Sequence, residues 1–187
     1  MQDIAPRRPA TYADVLAAPE HLVAEIIDGE LVTMPRPAPR HAVSISNLIT
    51  LINGPFDLGR GGPGGWWIID EPELHLGKEI LVPDIAGWRR ERMPAVPETA
   101  YFSLAPDWVC EIPSPSSARY DRGSKRQSYA RHGVSPCWYV ETAGRLMECY
   151  ELRDGLWVLL QTYVENDEVA ASPFAEVPFP LGLLWAD

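Results

Sequence analysis

The chain has 187 residues, of which 46% are apolar and seven are tryptophan, so it can bury a substantial core and is not a disordered linker. Its net charge of −10 argues against a broadly basic surface for gripping duplex nucleic acid. No run approaches the roughly eighteen apolar residues that cross a membrane as a helix. The first residues also lack the apolar stretch of a signal peptide. The expectation is one cytoplasmic domain over 1–187, with residues 1–10 as a flexible tail. Cys110, Cys137 and Cys149 are odd in number and form no CxxC pair. They read as core thiols of a reducing compartment, not as a zinc site.

Thr11 and Asp14 form a variant capping box that opens a short helix ended by Pro19. Residues 24–33 read as a β-hairpin around a tight Asp28-Gly29 turn. A proline-rich loop spans 35–40. Ala42, Ile45, Leu48, Ile49 and Ile52 recur at helical spacing over 40–52, with Gly54 as the expected stop. Residues 59–65 are glycine-rich but lack the ending of a phosphate-cradling loop, and read as a flexible hairpin tip.

Strand-like runs follow at Trp66–Asp70, Leu74–Leu76, Ile80–Ala86 and Trp108–Ile112. A long connection occupies 87–106. Pro113 and Pro115 end the last of these strands. A helix is expected from Asp121, as its cap, to His132, with Lys125, Tyr129 and His132 on one face. Residues 137–140 form another strand. An antiparallel meander then runs through Leu146–Leu152, a turn at Asp154-Gly155, Leu156–Val164 and shorter strands to Leu184.

Two of these runs each deliver one acid: Asp84 follows Pro83, and Glu111 interrupts Trp108-Val109-Cys110 and Ile112. An ionised carboxylate on an apolar strand is costly unless a cation or hydrogen bonds receive it. Two such carboxylates on neighbouring strands repel, and a divalent cation answers both problems. On spacing alone, a turn aspartate and a half-exposed strand glutamate remain open alternatives. Glu25 sits in an apolar run and is a third acid, against a solvated strand face. The backbone carbonyl of Ile112 is a further oxygen donor.

Lys125 stands at the start of a helix and is one of only two lysines, with Lys78, among sixteen basic residues. It suits a compact charge beside a water or a phosphate. A surface lysine is the plainer alternative. His41, Gln127 and Tyr129 are candidate substrate or supporting contacts, and Glu71 and Glu73 are weaker acids.

The segments Glu25–Glu30, His41, Val82–Ile85, Val109–Ser116, Asp121 with Lys125 and Tyr129, and Gly133–Tyr139 together resemble the Uma2 family of putative restriction endonucleases. This large bacterial group was once known only as a domain of unknown function, DUF820. The resemblance runs from about Tyr12 to Trp185. It implies an α+β, restriction-endonuclease-like core of the PD-(D/E)xK type: a mixed central sheet, flanking helices and one divalent-metal site.

Carried over residue by residue, Asp84 is the motif aspartate, Glu111 the second acid and Glu25 the acid of the N-terminal element. The usual lysine position is Pro113 here, and Lys125 on the following helix takes its place. The implied activity is Mg²⁺- or Mn²⁺-dependent hydrolysis of DNA phosphodiesters, with weak, non-specific DNA binding. A non-catalytic nuclease-fold module and a hydrolase of a small phosphate ester are the rivals. Exposed sheet edges and many tryptophans make a homodimer the expected assembly.

Overall fold

A computed structural model describes residues 8–186. The expected N-terminal tail lies mostly outside the described residues. Within them, the Ala10 N–H donates to the Gly29 carbonyl at 2.8 Å. Helix α1 (Tyr12–Leu16) opens with the Thr11/Asp14 capping box. Strands β1 (Leu22–Ile27) and β2 (Glu30–Pro35) form the hairpin, with Asp28 and Gly29 both at positive φ, as its two-residue turn requires.

Helix α2 (Pro39–Ile52) buries Ser44, Ile45, Leu48 and Ile52. The expected stop at Gly54 is not one. The helix continues as a π-helical turn, Asn53–Asp57, whose Pro55 and Phe56 are buried. The glycine-rich segment that follows joins this turn to β3 (Trp66–Asp70), so it is a helix-to-strand connection and not a hairpin tip.

Next come β4 (Leu74–Leu76), β5 (Glu79–Leu81) and β6 (Ile85–Arg89). The single strand expected over 80–86 is therefore two. Pro83 has no N–H to give a ladder, so pairing stops there and the chain passes from one sheet to another. Strand β7 (Trp108–Glu111) precedes α3 (Ala118–Tyr120), a π-helical turn (Asp121–Lys125) and α4 (Arg126–Arg131). Asp121 thus lies inside the helical stretch and does not cap it. His132, expected on one face with Lys125 and Tyr129, is the half-buried residue that caps the end of α4.

Strands β8 (Cys137–Glu141), β9 (Leu146–Arg153) and β10 (Leu156–Val164) form the meander, and β11 (Glu168–Val169) pairs with β12 (Phe179–Pro180).

The strands form a four-stranded sheet, β2-β1-β5-β4, and a six-stranded sheet, β10-β9-β8-β7-β6-β3. All pairs in the larger sheet are antiparallel except β7 with β8, so it is mixed. A parallel pair needs a crossover, and α3, the π turn and α4 supply it. One face of the large sheet packs Trp66, Ile68, Trp108, Cys110 and Trp138 against Leu48, Ile52 and Phe56, with Phe174 among them. The other face packs Trp88, Val109 and Tyr139 against Leu74, Leu81 and Tyr129. Strand period two therefore sends Cys110 to the first core and Val109 to the second. The three cysteines are buried and unpaired.

Candidate active site

The register of β6 and β7 pairs Ala86 with Val109 and Ile85 with Cys110. Asp84, the residue before β6, and Glu111, the last residue of β7, stand next to the end pair of this ladder and line one cavity. The Asp84 carboxylate bridges the two chain segments: Oδ2 accepts from the Ile112 N–H at 2.6 Å and Oδ1 contacts His41 Nε2 at 2.9 Å. Strand β1 of the small sheet brings Glu25 to the same place. Glu25 Oε1 accepts from the Val82 N–H at 2.6 Å, and the Val82 carbonyl accepts from Lys125 Nζ at 3.1 Å. Both ladder groups of the residue that crosses between sheets are thereby satisfied by ionic side chains.

Lys125 is the centre of the arrangement. Its Nζ lies 2.9 Å from Glu111 Oε1, 3.2 Å from Glu25 Oε1 and 3.3 Å from Asp121 Oδ1. The lysine side chain is only 2% exposed. A π turn has more than four residues per revolution, so Asp121 and Lys125 stack almost directly one above the other and both face inward. Lys125 lies on the crossover that begins just past the end of β7, which is how a residue fourteen positions on reaches Glu111. The same oxygen, Glu111 Oε1, also accepts from the Tyr129 hydroxyl at 2.5 Å.

Burial pushes the Glu111 carboxyl well up, with the Lys125 ammonium only partly opposing it and the charges of Asp121 and Asp84 adding to it. Burial likewise raises Glu25, against the pull of Lys125 and the Val82 N–H. For Lys125, burial disfavours the charged form, yet the surrounding carboxylates outweigh it and raise its pKa. The ammonium therefore stays charged, and the strain of the cluster falls on its acids. His41 follows the same rule: burial works against its charged form, but Asp84 outweighs burial and raises its pKa.

A cavity of about 280 Å³ opens onto this cluster. Asp84, Glu111, Asp121, Lys125 and His41 line it, as do Arg36, Glu71 and Ser114–Ser117. Glu25 lies beneath the lining, fully buried, with Oε2 lacking any hydrogen-bond partner.

The structure thus brings together Asp84, Glu111, Glu25, Lys125 and His41. It does not bring the other candidates to the cavity as substrate contacts. Gln127 is exposed and not among the lining residues, because it falls on the outer side of the crossover. Tyr129 is fully buried, so it can hold Glu111 but cannot touch a substrate. Ile112 presents its N–H to Asp84. Glu73 turns away to His75, at 2.7 Å.

Asp121 escaped the sequence reading as an acid of the site, although its i,i+4 spacing to Lys125 was a usable signal. Arg36 and Ser117 left no signal, and Ser114 and Ser116 appeared only as part of the Val109–Ser116 segment, with no role of their own. Replacing Tyr129 with phenylalanine removes the hydroxyl from a buried carboxylate. The expected loss is about 1–2 kcal/mol of stability, read as a lower urea midpoint at unchanged m-value.

The fit of a divalent cation follows from the donors. Among the described residues no three His, Cys, Asp or Glu side chains stand as a ready metal cage, and the ammonium of Lys125 occupies the space between three of the acids. Mg²⁺, however, is commonly held by one or two carboxylates, with waters and substrate phosphate completing the set. Asp84 and Glu111 are two carboxylates on one cavity wall. Four carboxylates stand against one lysine here, and Glu25 Oε2 has no partner. Oxygen donors with excess negative charge suit Mg²⁺ or Mn²⁺.

A crystal structure of a putative nuclease belonging to DUF820, from Anabaena variabilis ATCC 29413, has the same fold. Its TM-score is 0.75 over 94% of this chain and 97% of that chain, at 23% identity. No curated protein matches the chain. Among the described residues no helix is long and apolar enough to cross a membrane. The fold is the mixed α+β, restriction-endonuclease-like one. The family model described as Uma2, putative restriction endonuclease, matches residues 10–181, and the chain belongs to that family.

Proposed function

We propose that the protein is a cytoplasmic, Mg²⁺- or Mn²⁺-dependent nuclease that hydrolyses DNA phosphodiester bonds at the cavity bordered by Asp84 and Glu111. Family and fold support a nuclease role. The observation that carries the reading is the pair Asp84 and Glu111, lining one cavity beside a buried ammonium, in a cluster whose acids outnumber its lysine.

Asp84 and Glu111 would hold the cation, and when bound it would supply Lewis acidity and a more acidic water. Asp84 is kept in place by the Ile112 N–H and His41. Glu111 is kept in place by Tyr129 and Lys125. Glu25 and Asp121 fix the lysine between them, and its charge lies beside the region where the phosphorane becomes most negative. In the reaction, the hydroxyl of a water bonds to phosphorus, the P–O ester bond breaks, and the remaining proton of that water ends on the leaving alkoxide.

With purified protein, cleavage of DNA, tested on single-stranded circles and on supercoiled plasmid, should need Mg²⁺ or Mn²⁺ and stop with EDTA. Asp84→Ala should lower the rate at least about 100-fold, since disturbing even the outer partners of a metal costs 10–100-fold. Parent-like cleavage by that variant would remove Asp84 from the chemistry. A non-catalytic module is the second reading, favoured by the four protein acceptors already gathered around Lys125 Nζ. Absence of any Mn²⁺ binding heat in calorimetry would select it.

A further inference from the structure

Resting on that reading, we infer that the site takes unpaired DNA, one nucleotide unit at a time, and that Arg36 holds a phosphate next to the scissile one. The cavity, at about 280 Å³, is at the small end of the range for single ligands. The reacting groups are recessed: the side chains of Glu111 and Lys125 are 2% exposed and that of Asp84 is 16% exposed. A stiff duplex keeps its phosphates on a broad cylinder and does not present one to so enclosed a floor. A single strand bends, and can place one phosphate inside.

Charge points the same way. Duplex-binding proteins commonly neutralise about 6–10 phosphates with lysine and arginine. Among the described residues, Arg36 and Lys125 are the only Lys or Arg side chains lining the cavity. Lys125 is surrounded by carboxylates, whereas Arg36 is 58% exposed, with one nitrogen 3.6 Å from Glu71 and another donating to the Glu20 carbonyl at 3.3 Å. The densest basic run, Arg89 to Arg92, is no duplex track. Arg90 is bound to Asp57, and Arg92 is bound to Asp107 at 2.6 Å. Arg89 lies over Trp66, at the end of β6 away from Asp84.

The cavity wall completes the match. Met34, Pro35, Pro37 and Ala38 make one side apolar, next to Arg36 in sequence. An unstacked base rests on such a surface while its phosphate meets the guanidinium. Ser114, Ser116 and Ser117 line the same cavity, and their hydroxyls, now hydrogen-bonded to one another, are groups that a phosphate oxygen can draw on as donors.

The experiment is fluorescence anisotropy with a labelled 12-nucleotide strand and with the same sequence as a blunt duplex. Both are titrated in Ca²⁺, with Mg²⁺ hydrolysis assayed in parallel. The single strand should bind at least about tenfold tighter than the duplex. Arg36→Ala should weaken single-strand binding about tenfold and flatten its salt slope by about 0.7, the loss of one phosphate contact, while Arg36→Lys keeps most of both. Equal or tighter duplex binding, no binding of either form, or an unaltered Arg36→Ala variant overturns the inference. Single-strand preference without hydrolysis removes the nuclease reading and leaves the preference. Duplex cleavage as fast as single-strand cleavage does the reverse.

Discussion

Replacing Lys125 with methionine should destabilise the fold by about 3–5 kcal/mol at pH 8, the loss seen when one partner of a buried ion pair is removed. The reason is the number of acids that depend on it. Glu25, Glu111 and Asp121 each contact the ammonium, and none is more than 3% exposed. Methionine fills much of the volume, so the change isolates charge from packing.

The loss should also depend on pH, with a definite sign. Glu25 and Glu111 already titrate above the ordinary carboxylate range, and Lys125 is the main influence that lowers them. Without it, both rise further. A carboxyl whose folded pKa exceeds its unfolded value of about 4.3 favours the folded state while protonated, and that contribution is lost as pH rises through the folded pKa. The Lys125→Met deficit should therefore be smallest near pH 5 and grow toward pH 8. Urea unfolding at three pH values measures it. A deficit of the same size at every pH would mean that packing, not charge, is what Lys125 contributes.

Exchanging Glu111 for glutamine should move stability and activity in opposite directions. Burial, Asp121 and Asp84 all disfavour the ionised Glu111, and Lys125 only partly compensates. The amide keeps the shape, and its oxygen can still accept from Tyr129 and Lys125. Removing the charge should raise stability by about 1 kcal/mol at pH 8, as often follows when a site held in a strained state is relaxed. The gain should fade toward acid pH, where the parent carboxyl is itself protonated. In the same variant, Mn²⁺ binding heat should disappear and DNA cleavage should fall at least about 100-fold. A Glu111→Gln protein that is less stable and still binds Mn²⁺ would contradict both halves.

The expected elements that survived were those with strong local chemistry. The Thr11/Asp14 cap, the Asp28-Gly29 hairpin, the strand Trp66–Asp70 and the apolar face of Ile45, Leu48 and Ile52 all rest on interactions within a few residues. Those that shifted depend on distant partners. Nothing near Gly54 reveals that Pro55 and Phe56 will be buried and carry the helix one π turn further. The i,i+4 spacing of Asp121 to Lys125 hints at a pair, but the other two acids around that lysine come from β1 and β7, far away in sequence. Gln127 and Tyr129 differ by two positions, and only packing decides that one faces water and the other Glu111.

From its own composition and pattern, the chain determined that it would bury a substantial core and where most of its helices and strands would fall, while the resemblance implied the α+β class. The apolar alternation and turn residues that specify strands and helices are local properties of the sequence. They also marked Asp84 and Glu111 as costly acids on apolar strands. What only the tertiary structure decided is how those acids are satisfied. Pro83 passes the chain between two sheets, the pairing of β6 with β7 brings Asp84 and Glu111 to one cavity, and the crossover delivers one ammonium to three carboxylates. Electrostatic energy depends on separation and burial, and neither exists until the sheets have closed over the site.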